Sequence, residues 1–331
     1  MKNQVIPMVK FTPSYIVKYY EHTNKKKPTT INNFATRVKN KYHNETLSEH
    51  SIKKIKKAID WFIYLSNKKT IIDKEGKEHT FKLNFITLTL PAKQNHDDKT
   101  IVKVCLNNFL NILRNKYKVL HYIWRAERQK NGNLHFHLIT DKFIPWNEVR
   151  YHWNNSLELL FYISAYENKM KKLHNKGFAY RPELNKYGFD YQKQYKAYQK
   201  SLQTNFRNPN TTDIHAIKYV GNLKIYLLKY FTKQYQNENI ECSFYSISHA
   251  LSKLDGYKTE VDSTISDFLY NKIDKIKHKF LSLNFSSIFI LPIKSLLKLK
   301  LYKLYNEFKD YVNNIISSYI QISISNPGLY F

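Results

Sequence analysis

Residues 131–140 read NGNLHFHLIT, and the alternation within LHFHLIT limits the fold more than any other stretch. Along a β-strand successive side chains point to opposite faces, so His135 and His137 share one face while Leu134, Phe136 and Leu138 share the other. Such a strand belongs in a sheet with one face in an apolar core and the other left for polar chemistry. The run KVLHYIWRAER (118–128) supplies a partner strand, and Asn131-Gly132 is a turn signal between them, so a hairpin is predicted. The turn also decides where Glu127 goes. A three-residue loop centred near Gly132 sets its carboxylate beside His137, whereas a two-residue Asn-Gly turn sends it to the far face.

The neighbouring segments fit the same plan. TIIDKEGKEHTFKLNFITLTL (70–90) reads as a hairpin turning at Glu75-Gly76 and running into a further strand. Val102, Cys105, Leu106, Phe109, Leu110 and Leu113 recur at helical spacing, and WNEVRYHWNN (146–155) is a second helix. Upstream, Thr46 and Glu49 have capping-box spacing ahead of a stripe of Ile52, Ile55, Ile59, Phe62 and Ile63. A further helix is expected over 222–235. Strand, helix, hairpin, helix in this order gives a two-layer α+β fold with an antiparallel sheet.

Charge narrows the partner. The 331 residues carry 54 Lys+Arg against 26 Asp+Glu, a net +28, which is the footprint of a polyanion binder. Only seven of the basic residues are arginine, a lysine bias that an AT-rich genome imposes without requiring so few acids. Residues 159–212 interleave aromatics and lysines, as in YGFDYQKQYKAYQK (187–200), the composition of a surface on which unpaired bases stack. Two distant cysteines, Cys105 and Cys242, argue against a disulfide framework and a cysteine zinc site, and fit a reducing cytoplasm. No apolar run reaches 18 residues and the N-terminus lacks a secretion-signal pattern, so no membrane partner is expected.

The chemistry-bearing residues form two groups. Two imidazoles on one strand face suit Mg²⁺, Mn²⁺ or Zn²⁺ once a third ligand joins them, and Glu127 is the candidate. On the helix through NLKIYLLKYFTKQY (222–235), Tyr226, Tyr230, Lys229 and Lys233 fall on the side opposite Leu227, Leu228 and Phe231. Neighbouring ammonium groups favour a tyrosine phenolate and neutralise charge building on a phosphate. Arg125 and Arg128 flank Glu127 as candidate phosphate contacts; His121 and His215 read as structural. A metal site, paired tyrosines and a basic, aromatic surface together describe phosphodiester transesterification on single-stranded DNA. The plain alternative, a nucleic-acid-binding protein without catalysis, remains open on the residues alone, while a zinc hydrolase lacks any HExxH or cysteine ligand set.

FITLTLP (85–91), RAERQKNGNLHFHLITD (125–141) and YLLKYFTK (226–233) resemble, in order, the three motifs of HUH-type replication initiators. The likeness is nearest to the rolling-circle initiators of microviruses, small single-stranded DNA phages, and takes in PNTTDIHAIKYVGNLKIY (209–226) and SISHALSKL (246–254). It implies an HUH core, an antiparallel sheet flanked by helices, with helical additions at both ends. The implied layout is a basic helical region 1–69, a nickase domain 70–255 with the insertion 159–212, and a lysine-rich helical region 256–331. It further implies Mg²⁺ or Mn²⁺ on His135, His137 and Glu127, attack on phosphorus by Tyr226, a second attack by Tyr230, and phosphate contact by Lys229. The product would be a 5′-phosphotyrosyl link and a 3′-OH primer at an origin, used by a host helicase and DNA polymerase in bacterial cytoplasm. A plasmid initiator or transposase of the same chemistry is the related alternative. Leu227 and Leu228 stand where the commoner spelling of the third motif has small residues.

Overall fold

The structure is a computed structural model that describes residues 5–22, 47–72, 76–217, 223–232, 240–272, 279–283 and 286–325. Thr46 of the expected capping box, Glu75 of the first hairpin turn and Lys233 lie outside them. The chain divides into two compact units, one of 42–52 and 66–248, the other of 1–41, 53–65 and 249–331. The fold is mixed α+β, with antiparallel sheets flanked by helices.

The first unit contains the predicted hairpin. Strands β1 (Leu83–Leu88), β2 (Tyr122–Arg128), β3 (Leu134–Thr140), β4 (Thr212–Ile217) and β5 (Tyr245–Ile247) form one antiparallel sheet in the order β4-β1-β3-β2-β5. Ile86, Leu88, Trp124, Ala126, Leu134, Phe136 and Leu138 line its apolar face. Against them pack α1 (Asn107–Asn115), through Phe109, Leu110 and Leu113, and α2 (Trp146–Glu158), through Val149, Trp153 and Leu157. Trp153 ties the layers together: its ring meets Phe109 and Phe136 edge-on, and its indole Nε1–H donates to the Thr89 carbonyl at 2.9 Å, so a large apolar surface is buried without an orphaned donor. Residues 101–106, ahead of α1, form widened π-type turns that bring Ile101 into the core and leave Val102 half-buried. The described residues of this unit also form α3 (Tyr162–Leu173), α4 (Tyr191–Gln203), α5 (Leu223–Thr232) and a two-stranded hairpin of Lys69–Ile72 with Glu78–Phe81.

The β2–β3 connection is a three-residue loop, Lys130-Asn131-Gly132, and not a two-residue turn. Gly132 N donates to Gln129 O at 2.8 Å, and Gln129 N donates to Asn133 O at 2.9 Å. Gly132 sits at φ +84°, the left-handed region that closes such a loop as a bulge. The loop is braced from outside. Asn133 accepts from Gln94 N and donates to Ala92 O, while Leu134 N donates to the Gln94 side chain.

The second unit corrects one expectation. Its terminal segments contribute strands as well as helices. Tyr257–Glu260, Val5–Phe11, Ile16–His22, Ser286–Ile290 and Lys279–Leu283 form an antiparallel sheet in that order. Val9 and Phe11 alternate into buried positions, and Val9 pairs across to Thr259, a partner too remote in sequence for local pattern to reveal. Helices do flank this sheet. In the helix Glu49–Leu65 the buried residues are Ile55, Ala58, Ile59, Trp61 and Phe62, and Trp61 stacks on Phe308 of the helix Tyr302–Ser325. Among the described residues no helix is long and apolar enough to cross a membrane.

Gly132→Ala should cost about 1 kcal/mol, because an L side chain resists the left-handed conformation even where, as here, nothing crowds the new methyl. Urea denaturation of the variant checks this, and an unchanged midpoint would contradict the assigned loop geometry.

Candidate metal centre and tyrosine helix

Strand register assembles the second face of the sheet. Glu127 lies directly across from His135, Arg125 across from His137, and Thr87 of β1 across from His137 on the other side. All five side chains therefore project to the face opposite the apolar core. The three expected ligands meet. His135 Nε2 and His137 Nε2 are 3.1 Å apart, and Glu127 Oε1 lies 2.6 Å from His137 Nε2 and 3.5 Å from His135 Nε2. Among the described residues this is the group of His, Cys, Asp and Glu side chains whose ligand atoms cluster, all within 4.8 Å of one another.

The rest of each imidazole is held in place. Gln129 Nε2 lies 3.2 Å from His135 Nδ1, and Thr87 Oγ1 lies 3.4 Å from His137 Nδ1. A hydroxyl oxygen, or the Gln129 amide turned to present its oxygen, accepts the Nδ1 proton and leaves the Nε2 lone pair for a cation. Burial, aided by the neighbouring His137 and opposed by Glu127, lowers the pKa of His135 to about 4. It is therefore neutral at pH 7, the form that ligates a metal. The donor set fits a divalent ion: adjacent ligands of an octahedral cation at roughly 2.1 Å lie about 3 Å apart. Two imidazole nitrogens and one carboxylate oxygen favour Mn²⁺ over Mg²⁺, which prefers oxygen.

Helix α5 packs its tyrosines toward this face. Leu223, Leu227 and Phe231 are fully buried, so Leu227 fills core space where a small residue is commoner. Tyr226 and Tyr230, at the edge of that buried stripe, both lie against Phe85, with ring centroids 6.0 and 5.2 Å from it. The Tyr230 ring is 5.7 Å from that of His137, and the two tyrosine rings are 4.8 Å apart. Tyr226 also hydrogen-bonds to Tyr230. Burial first, then that bond and the neighbouring phenol's charge, push the Tyr226 pKa up to about 12. This reverses the sequence expectation that lysines lower it. Lys229 is exposed and the phenol is not, so desolvation outweighs the ammonium group.

The two arginines have partners within the fold. Arg125 is 3% exposed; its Nη1 donates to the Tyr230 carbonyl at 3.3 Å and its guanidinium lies over Phe244. It links the histidine strands to α5. Arg128 points to the other face, where Nη2 meets Asp98 Oδ2 at 2.5 Å and Nη1 donates to the Gly132 carbonyl. Asp98 also accepts from Gln94 and from Glu241 N, so Arg128 braces the hairpin loop. His121 pairs with Asp141 at 2.9 Å, and His215 sits on β4 opposite Phe85. Sequence reasoning overlooked Thr87, Phe85 and Gln129. Strand parity in FITLTLP offered a signal for the first two, since residues 85 and 87 share a face.

Residues 83–235 match the family model of the ORF2-type replication-associated proteins, a span somewhat under half of the chain. The match contains every strand-borne site residue and both tyrosines, and it supports a DNA-binding role in replication initiation. No curated protein and no solved structure gives a significant match to the chain.

Isothermal titration should find one Mn²⁺ site per chain, about tenfold tighter than Mg²⁺. His137→Ala should abolish it, and Thr87→Val should weaken it about tenfold by releasing the ring; normal affinity in His137→Ala would remove the site. Arg125→Met should speed amide exchange in α5 while leaving Mn²⁺ affinity intact, and unchanged protection would show that Arg125 does not anchor the helix. The Tyr226 phenol should stay protonated until the pH nears its raised pKa of about 12. Titration of phenolate absorbance in the wild type minus Tyr226→Phe checks this, and a transition near the ordinary tyrosine value of about 10 would contradict it.

Proposed function

We propose that this protein is a replication initiator that cuts single-stranded DNA at an origin through a tyrosine and later rejoins it. The carrying observation is the meeting, within the matched segment, of the His135–His137–Glu127 cluster with the Tyr226–Tyr230 pair on one sheet face. His135, His137 and Glu127 would hold Mg²⁺ or Mn²⁺, which when bound polarises a phosphate oxygen and stabilises charge in the transition state.

The side chains perform the remainder. A tyrosine oxygen bonds to phosphorus, the bond from phosphorus to the 3′ oxygen breaks, and that oxygen leaves as a 3′-hydroxyl carrying a proton. The protein keeps the 5′ phosphate as a phosphotyrosyl ester. Rejoining is the reverse displacement by a 3′-hydroxyl. Motif position gives the first attack to Tyr226, while packing brings Tyr230 against His137. Their shared hydrogen bond couples the two, so a proton leaving one is felt by the other. Lys229, exposed on the same helix, would meet a phosphate, and Lys233, four residues further along the sequence, would add a second positive charge. The 3′-hydroxyl would prime a host polymerase working with a host helicase, in the manner of the HUH initiators of microviruses.

The test is incubation of end-labelled single-stranded oligonucleotides tiling the genome of origin with wild type, Tyr226→Phe, Tyr230→Phe and the double variant, with Mn²⁺ or EDTA. A covalent adduct that needs Mn²⁺, is lost in the double variant and is lost or slowed at least about a hundredfold in one single variant is expected. Salt-sensitive binding without any adduct would move the protein to the class of non-catalytic DNA binders.

A further inference from the structure

Residues 178–200 invert the usual rule of burial. Gln194 is buried, whereas Tyr180, Tyr187, Phe189, Tyr191 and Tyr195 are each at least 38% exposed. A buried amide beneath exposed rings asks for a reason, since exposed aromatics gain nothing from folding. Gln194 supplies the framework. Its side chain accepts from Arg181 N and donates to the carbonyls of Arg181 and Phe189, at 3.0, 2.9 and 2.7 Å. Asp190 caps α4 by accepting from Lys193 N at 2.8 Å. The loop carrying Tyr180, Tyr187 and Phe189 is thereby pinned to the helix carrying Tyr191 and Tyr195.

The rings form a continuous array. Buried Phe206 stacks on His174, His174 on Phe178, and Phe178 meets Tyr191 and Tyr195 edge-on. Tyr191 and Tyr195 lie nearly parallel, 11° apart in plane, with Tyr180 tilted against Tyr191. Tyr180, Tyr191 and Tyr195 in this array are exposed to solvent. Between 176 and 200 six basic residues stand against two acidic ones, and Lys186, Lys196 and Lys200 are exposed. On α4 Lys196 stands about 100° around the helix from Tyr195 and borders the tyrosine face, whereas Lys200 is about 180° from Tyr191, on the far side; Lys186 Nζ lies 5.0 Å from the Tyr187 ring centroid.

We propose that this surface is a stacking platform for single-stranded DNA, in which unpaired bases lie on Tyr187, Phe189, Tyr191 and Tyr195 while phosphates reach Lys186 and Lys196. Ring faces accept any base, and positive charge selects a polyanion over an apolar protein partner. Duplex DNA keeps its bases stacked on one another and cannot use the rings. The surface rests on the proposed single-strand function and extends it: the strand would be held at a second place, on the insertion, without metal.

The test is fluorescence anisotropy of labelled oligo(dT) in EDTA with Tyr191→Leu/Tyr195→Leu, Tyr191→Phe/Tyr195→Phe and Lys186→Ala/Lys196→Ala, each checked for folding by circular dichroism. The Leu pair should lose about tenfold in affinity per ring, the Phe pair should bind like wild type, and the Lys pair should reduce the salt slope by about 0.7 per lysine. Wild-type affinity in the Leu pair, or equal binding of a duplex of the same length, would overturn the proposal. Cleavage does not enter this readout. Ring-dependent binding without metal-dependent cleavage would keep the platform and remove the nickase. Cleavage by a Leu pair that binds normally would do the reverse.

Discussion

Three residues between β2 and β3 control the parity of the central sheet. Side chains alternate along a strand, so each added or removed loop residue exchanges which faces of the two strands coincide. With Lys130-Asn131-Gly132 as the loop, Glu127 stands opposite His135 and its carboxylate reaches His137. One residue fewer would send the carboxylate into the apolar layer of Phe136, Trp124 and Trp153. The left-handed Gly132, the bonds of Asn133 to Gln94 N and the Ala92 carbonyl, and the Arg128–Asp98 pair all hold the same geometry.

The face so created brings together a ligand set that a divalent cation fits. It gathers Glu127 and two imidazoles largely out of solvent, with His135 too desolvated to take a proton at pH 7. Arg125 answers a different need, lying under α5 and giving its charge to a backbone carbonyl. The tyrosines rest over Phe85 as on a floor, close enough to the cluster to share one substrate. Tyr226 in the resting arrangement is a poor nucleophile, because burial and its bond to Tyr230 keep it protonated. Under the proposed function, the Tyr226 proton must leave as the phosphate is engaged.

Much of this was legible in the sequence where the information is local. The period-two alternation of LHFHLIT placed both histidines on one face, and the 3.6-residue spacing of Cys105, Leu106, Phe109 and Leu113 marked the covering helix. The turn was readable as a turn but not as a length, since Asn-Gly suits both loop sizes. The terminal strands escaped because Val9 finds its partner at Thr259, and no window along the chain contains both. The sequence offers Arg125 as a phosphate contact and does not record its depth within the sheet, where it is buried. Tyr226 was expected to ionise easily because lysines neighbour it in sequence; in space, burial against Phe85 and Tyr230 counts for more.

Mass spectrometry of a trapped protein–DNA adduct tests the central claim most directly. Trypsin separates the two tyrosines, placing Tyr226 in IYLLK (225–229) and Tyr230 in YFTK (230–233). A nucleotide should appear on one of these two peptides, formed with Mn²⁺ and absent with EDTA. A nucleotide on any other peptide, or strand cleavage that leaves no covalent link, would contradict it.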